Sequence, residues 1–305
     1  MIVVFGASGF IGSYLVEGLR KHKRKVFAVG SNEKTCDWNA DITNVFDFHH
    51  LPNKNIKAVI NCAAALMIDQ KTPQQYYDVN AIGTYNVLEY CRKIGAMMVY
   101  PMTHSDVNAS QDLIITEESP RYFTVNSYGT GALPFITSKI AGAELVEAYN
   151  RSGLVHGLVL RIANVRGVGS KDTKYNCVFH QFIEKAKVGE TIDLWGMRKT
   201  VRDLIYVKDV VRAIIMAIDN NAKPGLYNIG TGKGLTIEDE AEAIISVFSP
   251  EKKRSLITYS PEKEEVRKHS SIFDINKACM EFGWLPIYNY HSALEDMKKI
   301  MNNGG

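Results

Sequence analysis

The chain has 305 residues, 46% of them hydrophobic and 23% charged, which is enough apolar material for a large core and excludes a disordered chain. The formal net charge is only +3, and no apolar run is long enough to span a bilayer, so we expect neither nucleic acid nor a membrane as a partner. Five scattered cysteines, none in a C-x-x-C pair, argue against disulfides or a metal site and favour a cytoplasmic protein. Met1 leads directly into an apolar run, so we expect no signal peptide.

The first half of the chain alternates between short apolar runs, typical of strands buried on both faces, and segments with helical periodicity. The predicted strands are Ile2–Phe5, Val26–Val29, Ala58–Cys62, Met97–Tyr100 and Val155–Ile162, and the helices between them are Ser13–Arg20, Gln74–Ile94 and Ile136–Arg151. This alternation predicts an α/β fold with a doubly wound parallel sheet and right-handed crossovers.

The second half has shorter and more isolated strands. They are predicted at Thr191–Leu194, Leu204–Val207 and Gly225–Ile229, with helices at Val178–Lys187, Lys208–Asn220, Thr236–Phe248, Ile275–Phe282 and His291–Met301. We therefore expect a first domain over residues 1–165 and a smaller α/β lobe over residues 166–305. In this prediction, a strand from one part can pair within the sheet of the other.

A glycine-rich loop joins the first strand to the first helix. Gly6, Gly9 and Gly12 are spaced G-x-x-G-x-x-G. Such glycines allow a tight turn, a close approach of backbone to a pyrophosphate, and close packing of helix against strand, while the helix N-terminus offers free N–H groups to the anion. The loop predicts a dinucleotide-binding site.

The end of the second strand bears on which dinucleotide is bound. An acidic residue usually stands there to bind the ribose 2′-hydroxyl of NAD. Gly30 or Ser31 occupies this position, and Lys34 is near, so a 2′-phosphate can be accommodated. NADP is therefore favoured over NAD, although a modest shift of the loop would bring Glu33 back to the ribose.

Several further motifs, in order, resemble the extended short-chain dehydrogenase/reductase family, in its nucleotide-sugar epimerase/dehydratase/reductase branch. They are Asp41-Ile42, Ile60–Ala64 (INCAA), Val79–Leu88, the R-x-x-N-x-x-G pattern of Arg161–Gly167, Val201–Val210, Tyr227–Gly232 and the turn Phe282–Pro286 (FGWLP). The resemblance covers nearly the whole chain and implies a Rossmann-type sheet with a C-terminal substrate lobe.

The resemblance also implies binding residues. Those for the cofactor would be Gly6, Ser8, Gly9, Phe10, Ile11, Gly12, Ser31, Asp41, Ile42, Ala63, Ala64, Asn80 and Lys139. Those for a nucleoside diphosphate sugar would be His104, Asn164, Arg202 and Arg267. Arg202 can supply a bidentate cation to a diphosphate, and Asn164 can both donate to and accept from substrate oxygens. The alternatives are a surface salt bridge for Arg202 and a turn-forming role for Asn164.

The catalytic residues implied by the family are a Ser or Thr and a Tyr-x-x-x-Lys pair. Thr103 matches the first and Lys139 the last, but Phe135 stands at the tyrosine position. A phenyl ring fills the same space but has no proton to give. This chain is therefore expected to bind its ligands and to turn them over slowly.

The residues that follow Thr103, and other candidate acid–base groups, distinguish between the reactions that the family catalyses. The two residues after Thr103, which are acidic in family dehydratases, are His104 and Ser105, which argues against elimination of water. His104 and Tyr128 are alternative acid–base groups. For His104, an ordinary loop histidine without a catalytic role is the simpler interpretation.

These residues predict NAD(P)-dependent 4-epimerisation of a nucleoside diphosphate sugar through a 4-keto intermediate. The alternatives are an NADP-dependent 4-keto-sugar reductase and a catalytically impaired sugar-nucleotide-binding protein. A homodimer is also expected, because the helices Gln74–Ile94 and Ile136–Arg151 carry more apolar surface than one sheet face requires.

Overall fold

The protein is represented by a computed structural model that describes residues 1–69, 71–123, 132–169, 178–195, 199–260 and 270–303. In chain order the strands are β1 (Ile2–Phe5), β2 (Val26–Val29), β3 (Ala58–Asn61), β4 (Met97–Thr103), β5 (Ile114–Ile115), β6 (Gly157–Ile162), β7 (Asn164–Arg166), β8 (Ile192–Trp195), β9 (Val201–Tyr206), β10 (Gly225–Ile229), β11 (Gly234–Thr236), β12 (Ile257–Ser260) and β13 (Ile272–Phe273). The α-helices are α1 (Phe10–Lys21), α2 (Pro73–Tyr77), α3 (Gly83–Ile94), α4 (Ala132–Arg151), α5 (Val178–Val188), α6 (Val207–Asp219), α7 (Ile237–Phe248), α8 (Asn276–Phe282) and α9 (Tyr290–Asn303).

The central sheet has six parallel strands in the order β10-β6-β4-β3-β1-β2. All residues of β1, β3 and β6 are buried, as their predominantly apolar sequences predict for strands covered on both faces, and the buried set includes the polar Asn61 and Arg161. The prediction of a doubly wound α/β sheet is confirmed. The chain reverses its direction of winding between β1 and β3, and ligands of such sheets bind outside the carboxyl ends of the strands at that point.

One strand of the central sheet comes from the second half of the chain. β10 pairs with β6 from Gly225↔Leu158 to Ile229↔Ile162. Tyr227 and Ile229 belong to the same apolar core as residues of β1, β3 and β4. The two halves therefore share a sheet, and the division at residue 165 stays a prediction about function.

The predicted helix Gln74–Ile94 is interrupted. α2 and α3 are joined by a five-residue π-helical segment, Asp78–Ile82, which buries Asn80. A π-helical turn shifts the faces of the helix by one residue and is frequent near functional sites. Other predicted boundaries differ less, and α1 begins at Phe10 rather than Ser13.

The second lobe is built on small sheets. They are β11-β9-β7, β12-β8 and β13-β5. Helices α5, α7 and α9 pack around a separate apolar cluster that includes Phe179, Ile244 and Leu294. Among the described residues, no helix combines the length and apolarity needed to cross a membrane.

Candidate functional site

The glycine loop is packed too tightly for side chains at two positions. Gly6 ends the turn after β1 with φ +69°, and a Cβ on it would lie 2.5 Å from the backbone nitrogen of Ala63. A Cβ on Gly12 would lie 2.1 Å from the carbonyl oxygen of Gly6. The loop backbone therefore lies directly against α1 and the segment after β3, which is the compact geometry that the glycine spacing predicts.

A groove of about 580 Å³ runs along this loop, and we call it the glycine-loop groove. It is within the size range of cofactor sites. It contains ten of the predicted cofactor residues: Gly6, Ser8, Gly9, Phe10, Ile11, Ser31, Asp41, Ile42, Ala63 and Ala64. The groove therefore fits a dinucleotide by its position, its size and its free approach to loop backbone.

Asn80 lies behind the wall of this groove, although it was predicted as a cofactor contact. Its side-chain oxygen accepts from the N–H of Ala65 at 2.9 Å, and its amide donates to the Ala65 carbonyl at 3.1 Å and to Ser138 at 3.0 Å. The side chain is buried in the π-helical segment. It holds the segment after β3 against α4 and acts on the groove through Ala65.

A second groove, of about 680 Å³, adjoins the first through Ser8, and we call it the basic groove. Its lining includes Arg20, Lys21, Asn32 and Thr35. It lies beside the end of β2, where a Cβ on Gly30 would stand 3.0 Å from both Ser8 Oγ and Cys36 Sγ. A side chain at this position would require Ser8 and Cys36 to shift.

The central cavity, of about 230 Å³, opens from the glycine-loop groove. The two share Ile11, Cys62, Ala64 and Leu66. Thr103, Phe135, Lys139 and His104 all line it. The structure therefore brings together the three residues predicted as catalytic and one predicted substrate residue.

Lys139 is buried in the wall of this cavity. Its amine donates to the carbonyl oxygen of Pro101 at 3.0 Å and lies 4.1 Å from the centre of the Tyr100 ring. No ion pair in the described part of the chain involves it. Burial without a carboxylate partner lowers the pKa of Lys139 from its ordinary value to about 7, with the Cys62 thiol as a smaller opposing influence.

Phe135 lies one helical turn before Lys139, in α4. Its ring meets Tyr76 edge-on, with the ring centres 6.4 Å apart, in a small apolar cluster with Ala65 and Ile136. One side of the ring therefore packs in the protein while another faces the cavity.

Thr103 ends β4 and caps the short helical turn that follows. Its hydroxyl accepts from the N–H of Ser105 at 3.1 Å and donates to the Ser105 hydroxyl at 2.9 Å. The hydroxyl is thus fixed at the cavity edge, in a position to exchange one of these bonds for a ligand oxygen.

A recess of about 190 Å³ continues from the central cavity past His104 and Val165, and we call it the arginine recess. Asn164, Arg166, Phe179 and His180 line it. The Asn164 amide donates to the carbonyl oxygen of Asp203 at 3.1 Å. Burial, and after it the charge of Arg166, lowers the pKa of His180 below its ordinary value, which favours the neutral ring.

The predicted phosphate ligand Arg202 is one step removed from this recess. It lies in β9, and its guanidinium stands 3.8 Å from Glu240. Glu240, in α7, also accepts from Arg166 Nε at 2.6 Å. The sequence interpretation missed Arg166 and Glu240. Arg166 stood inside the quoted R-x-x-N-x-x-G motif, and its charge was the available signal, whereas nothing in the sequence links Glu240 to it.

Two predicted positions fall outside the described residues. They are Arg267, the second candidate phosphate ligand, and Tyr128, the alternative acid–base group. Both stay predictions.

Comparisons with known proteins show the family and the fold. The model of the NAD dependent epimerase/dehydratase family matches residues 2–230. The chain is 28% identical over 315 aligned positions to a protein of Methanocaldococcus jannaschii named "Putative UDP-glucose 4-epimerase", covering 99% of both. Its fold is similar to that of the UDP-N-acetylglucosamine 4-epimerase of Bacillus cereus, with a TM-score of 0.82, 24% identity and 98% of both chains covered. It is also similar to the UDP-glucose 4-epimerase of Thermotoga maritima solved with UDP-glucose, with a TM-score of 0.80, 24% identity and 99% of both chains covered.

Proposed function

Because the chain belongs to the NAD dependent epimerase/dehydratase family, we propose that it epimerises a nucleoside diphosphate sugar at carbon 4, through a transient 4-keto sugar. The observation that carries this proposal is the continuity of three spaces: the glycine-loop groove, the central cavity and the arginine recess. Together they offer room for a dinucleotide, a reaction chamber, and a recess lined by one arginine, Arg166, and two histidines. UDP-sugars are the substrates in the names of the similar proteins, which supports this substrate class.

The glycine-loop groove would hold the dinucleotide, with the pyrophosphate over the backbone of Gly9 to Ile11. When bound, the dinucleotide supplies the hydride acceptor and donor. NADP is our proposal for its identity. It is supported by the absence of an acidic side chain at Gly30 and Ser31, and by Arg20 and Lys21, which line the adjoining basic groove together with Glu17. NAD, which the family uses, is the alternative.

The chain's own residues must bind the sugar hydroxyl and handle its proton. We assign Thr103 to hydrogen bonding of the reacting oxygen and Lys139 to orienting the cofactor ribose and supplying positive charge to the cavity. Phe135 supplies shape but cannot accept the proton that the hydroxyl releases as the 4-keto sugar forms. That proton would pass to solvent water, which makes turnover slow. His104, at the junction of the central cavity and the arginine recess, is proposed to contact the substrate.

Two functions other than epimerisation are the alternatives. A 4-keto-sugar reductase is favoured by the same basic groove, since biosynthetic reduction draws on NADP. A protein that binds the sugar nucleotide without turning it over is favoured by Phe135.

The test is incubation of the purified protein with UDP-glucose or UDP-N-acetylglucosamine and cofactor, with the sugar products followed by NMR. Slow formation of the 4-epimer, without net loss of reduced nicotinamide, supports epimerisation. Stoichiometric loss of nicotinamide absorbance with a 4-keto sugar nucleotide identifies the reductase. Binding without turnover, persisting in Phe135→Tyr, identifies the binding protein.

The homodimer and the cytoplasmic location stay predictions. Tyr77, Ile82 and Tyr85 are exposed on the outer side of the helical region that was expected to pair across a two-fold axis. A monomer in sedimentation at micromolar concentration would contradict the dimer.

A further inference from the structure

The six strands of the central sheet begin at one end of the molecule, opposite the candidate site. Ile2 pairs with both Val26 and Ala58, and the parallel register continues through β4, β6 and β10. The N–H of Ile2 also donates to the carbonyl oxygen of Lys25, just before β2. Helices α1, α3 and α4 return the chain to the start of a parallel strand, so they finish at this end as well.

This end of the molecule is crowded with cations. They lie in the loops before β2 and β3 and in the last turns of α3 and α4, and all of them are exposed. We call them together the lysine-rich end: Lys23, Arg24, Lys25, Lys54, Lys57, Arg92, Lys93 and Arg151.

Acidic side chains pair with three of these cations. Asp219 lies 2.7 Å from Arg24 and 3.7 Å from Lys57, and Glu89 lies 2.8 Å from Arg92. The other five cations of the lysine-rich end form no ion pair within the described part of the chain. We expected no membrane partner because the net charge of the whole chain is only +3, and that sum conceals this local concentration of charge.

The helix dipole explains part of this charge. The cations of α3 and α4 lie in last turns, where positive charge is favourable. Lys25 and Lys54 lie in loops beyond the ends of the helices, so the dipole does not account for them. Their presence indicates a surface that meets an anion.

The arrangement of the cations fits a flat partner. Six neighbouring strands span roughly 24 Å, since adjacent strands lie about 4.8 Å apart, and the cations are spread over that width. They line none of the grooves described above. The loops that carry them contain no Phe, Tyr or Trp to stack on the bases of a nucleic acid. Leu154, in the loop between α4 and β6, is 49% exposed at the same end.

We propose that the lysine-rich end binds the surface of an anionic lipid bilayer. Clustered lysines and arginines are attracted to the negative charge of lipid headgroups, and an exposed leucine adds apolar contact. In this orientation the glycine-loop groove stays open to solvent, because it lies outside the opposite, carboxyl ends of the strands. Each cation near the headgroups strengthens binding about fivefold.

The experiment is sedimentation of the purified protein with vesicles of phosphatidylcholine, prepared with and without phosphatidylserine. We expect the wild type to bind the vesicles that contain phosphatidylserine, to leave pure phosphatidylcholine in solution, and to be released by high salt. No binding to the anionic vesicles at low salt, or equal binding to both kinds of vesicle, would overturn the proposal.

The triple variant Lys23→Gln, Lys25→Gln and Lys54→Gln tests the location. It should bind the anionic vesicles about 100-fold more weakly than the wild type. Its matched control is Lys233→Gln, Lys252→Gln and Lys299→Gln, which removes three exposed cations of the second lobe and lowers the net charge equally. The control should bind nearly as the wild type does, and equal losses in the two variants would overturn the assignment to this end.

Competition between the vesicles and duplex DNA or transfer RNA tests the choice of partner. Vesicles containing phosphatidylserine should retain the protein when nucleic acid is added at equal phosphate concentration, and its transfer to the nucleic acid would overturn the lipid assignment. The inference does not depend on the proposed function, because none of these measurements involves a sugar nucleotide.

Discussion

The two ends of the candidate site are built in different ways. The glycine-loop groove is formed by backbone and small residues, such as Gly6, Gly12 and Ala63, whose close packing leaves no room for substituents. The central cavity and the arginine recess each present a charged side chain instead. Lys139 stands in the wall of an otherwise largely apolar cavity, and Arg166, which is held by Glu240, lines the recess. In the proposed function, one end would recognise its ligand by shape and backbone N–H groups, and the other by the charge of placed side chains.

This difference suggests different tolerances to change. A backbone-built site fails when a single methyl group is added, because the clash is with main chain that cannot move locally. A side-chain-built site can keep its shape while losing its chemistry. Phe135 is an instance of the second kind, since its ring lines the cavity but offers no proton.

The largest effect is expected from restoring a hydroxyl at the cavity. Phe135→Tyr should raise the rate of epimerisation by about 10²–10⁴-fold, the usual contribution of a positioned acid–base group. Lys139, one turn on, would lower the pKa of the new phenol. The measurement is the rate of 4-epimer formation, together with UDP-sugar affinity, which should change little.

The matched control for Phe135→Tyr is Phe46→Tyr, which adds the same hydroxyl to an exposed ring that does not line the central cavity. This control should leave the rate of epimerisation unchanged. An unchanged rate in Phe135→Tyr, with loss of the remaining activity in His104→Ala, would show that the proton comes from elsewhere.

The same difference explains how much could be predicted from the sequence. The glycine loop was predictable because its function depends on local backbone geometry, which three glycines at fixed spacing reveal. Arg166 and Glu240 lie 74 positions apart, and their contact depends on how α7 packs against β7. The sixth strand of the sheet, β10, was predicted as a strand but not placed, since strand order is a long-range property.

Asn80 shows where the family resemblance indicated a buried residue but not its contacts. The motif indicated a buried asparagine beside the cofactor. Only the structure reveals that its partners are Ala65 and Ser138, because the π-helical segment that turns it inward has no clear sequence signal.

A smaller effect, on folding and dinucleotide binding together, is expected from a methyl group in the glycine loop. In Gly12→Ala the new Cβ would lie 2.1 Å from the Gly6 carbonyl oxygen, so the loop must shift. We expect the ligand-free protein to lose about 1–3 kcal/mol of unfolding free energy, as overpacked cores do. Denaturant unfolding measures it.

Gly9→Ala provides the comparison within the same loop. Its Cβ would meet only the Gly6 carbonyl oxygen, at 3.2 Å, so the ligand-free stability should fall less. Equal stabilities of Gly12→Ala and the wild type would mean that the loop is not built by close backbone contact.

The last effect concerns the pH dependence of stability at Lys139. Burial lowers the pKa of its amine from the ordinary lysine range to about 7 in the folded chain. Between that value and the ordinary one near 10.4, the unfolded chain binds more protons than the folded one, so this residue makes stability rise with pH across that window. Below that window both states are protonated, and the folded protein bears the full cost of burying the cation.

Lys139→Met should therefore be more stable than the wild type at pH 6, and the difference in stability should shrink as the pH rises. The measurement is the melting temperature at each pH, which changes by about 2–4 °C for each kcal/mol of unfolding free energy. The control variant Lys187→Met, at an exposed position, should show no such trend. A stability difference between Lys139→Met and the wild type that stays constant at every pH would contradict the burial of a charged amine at Lys139.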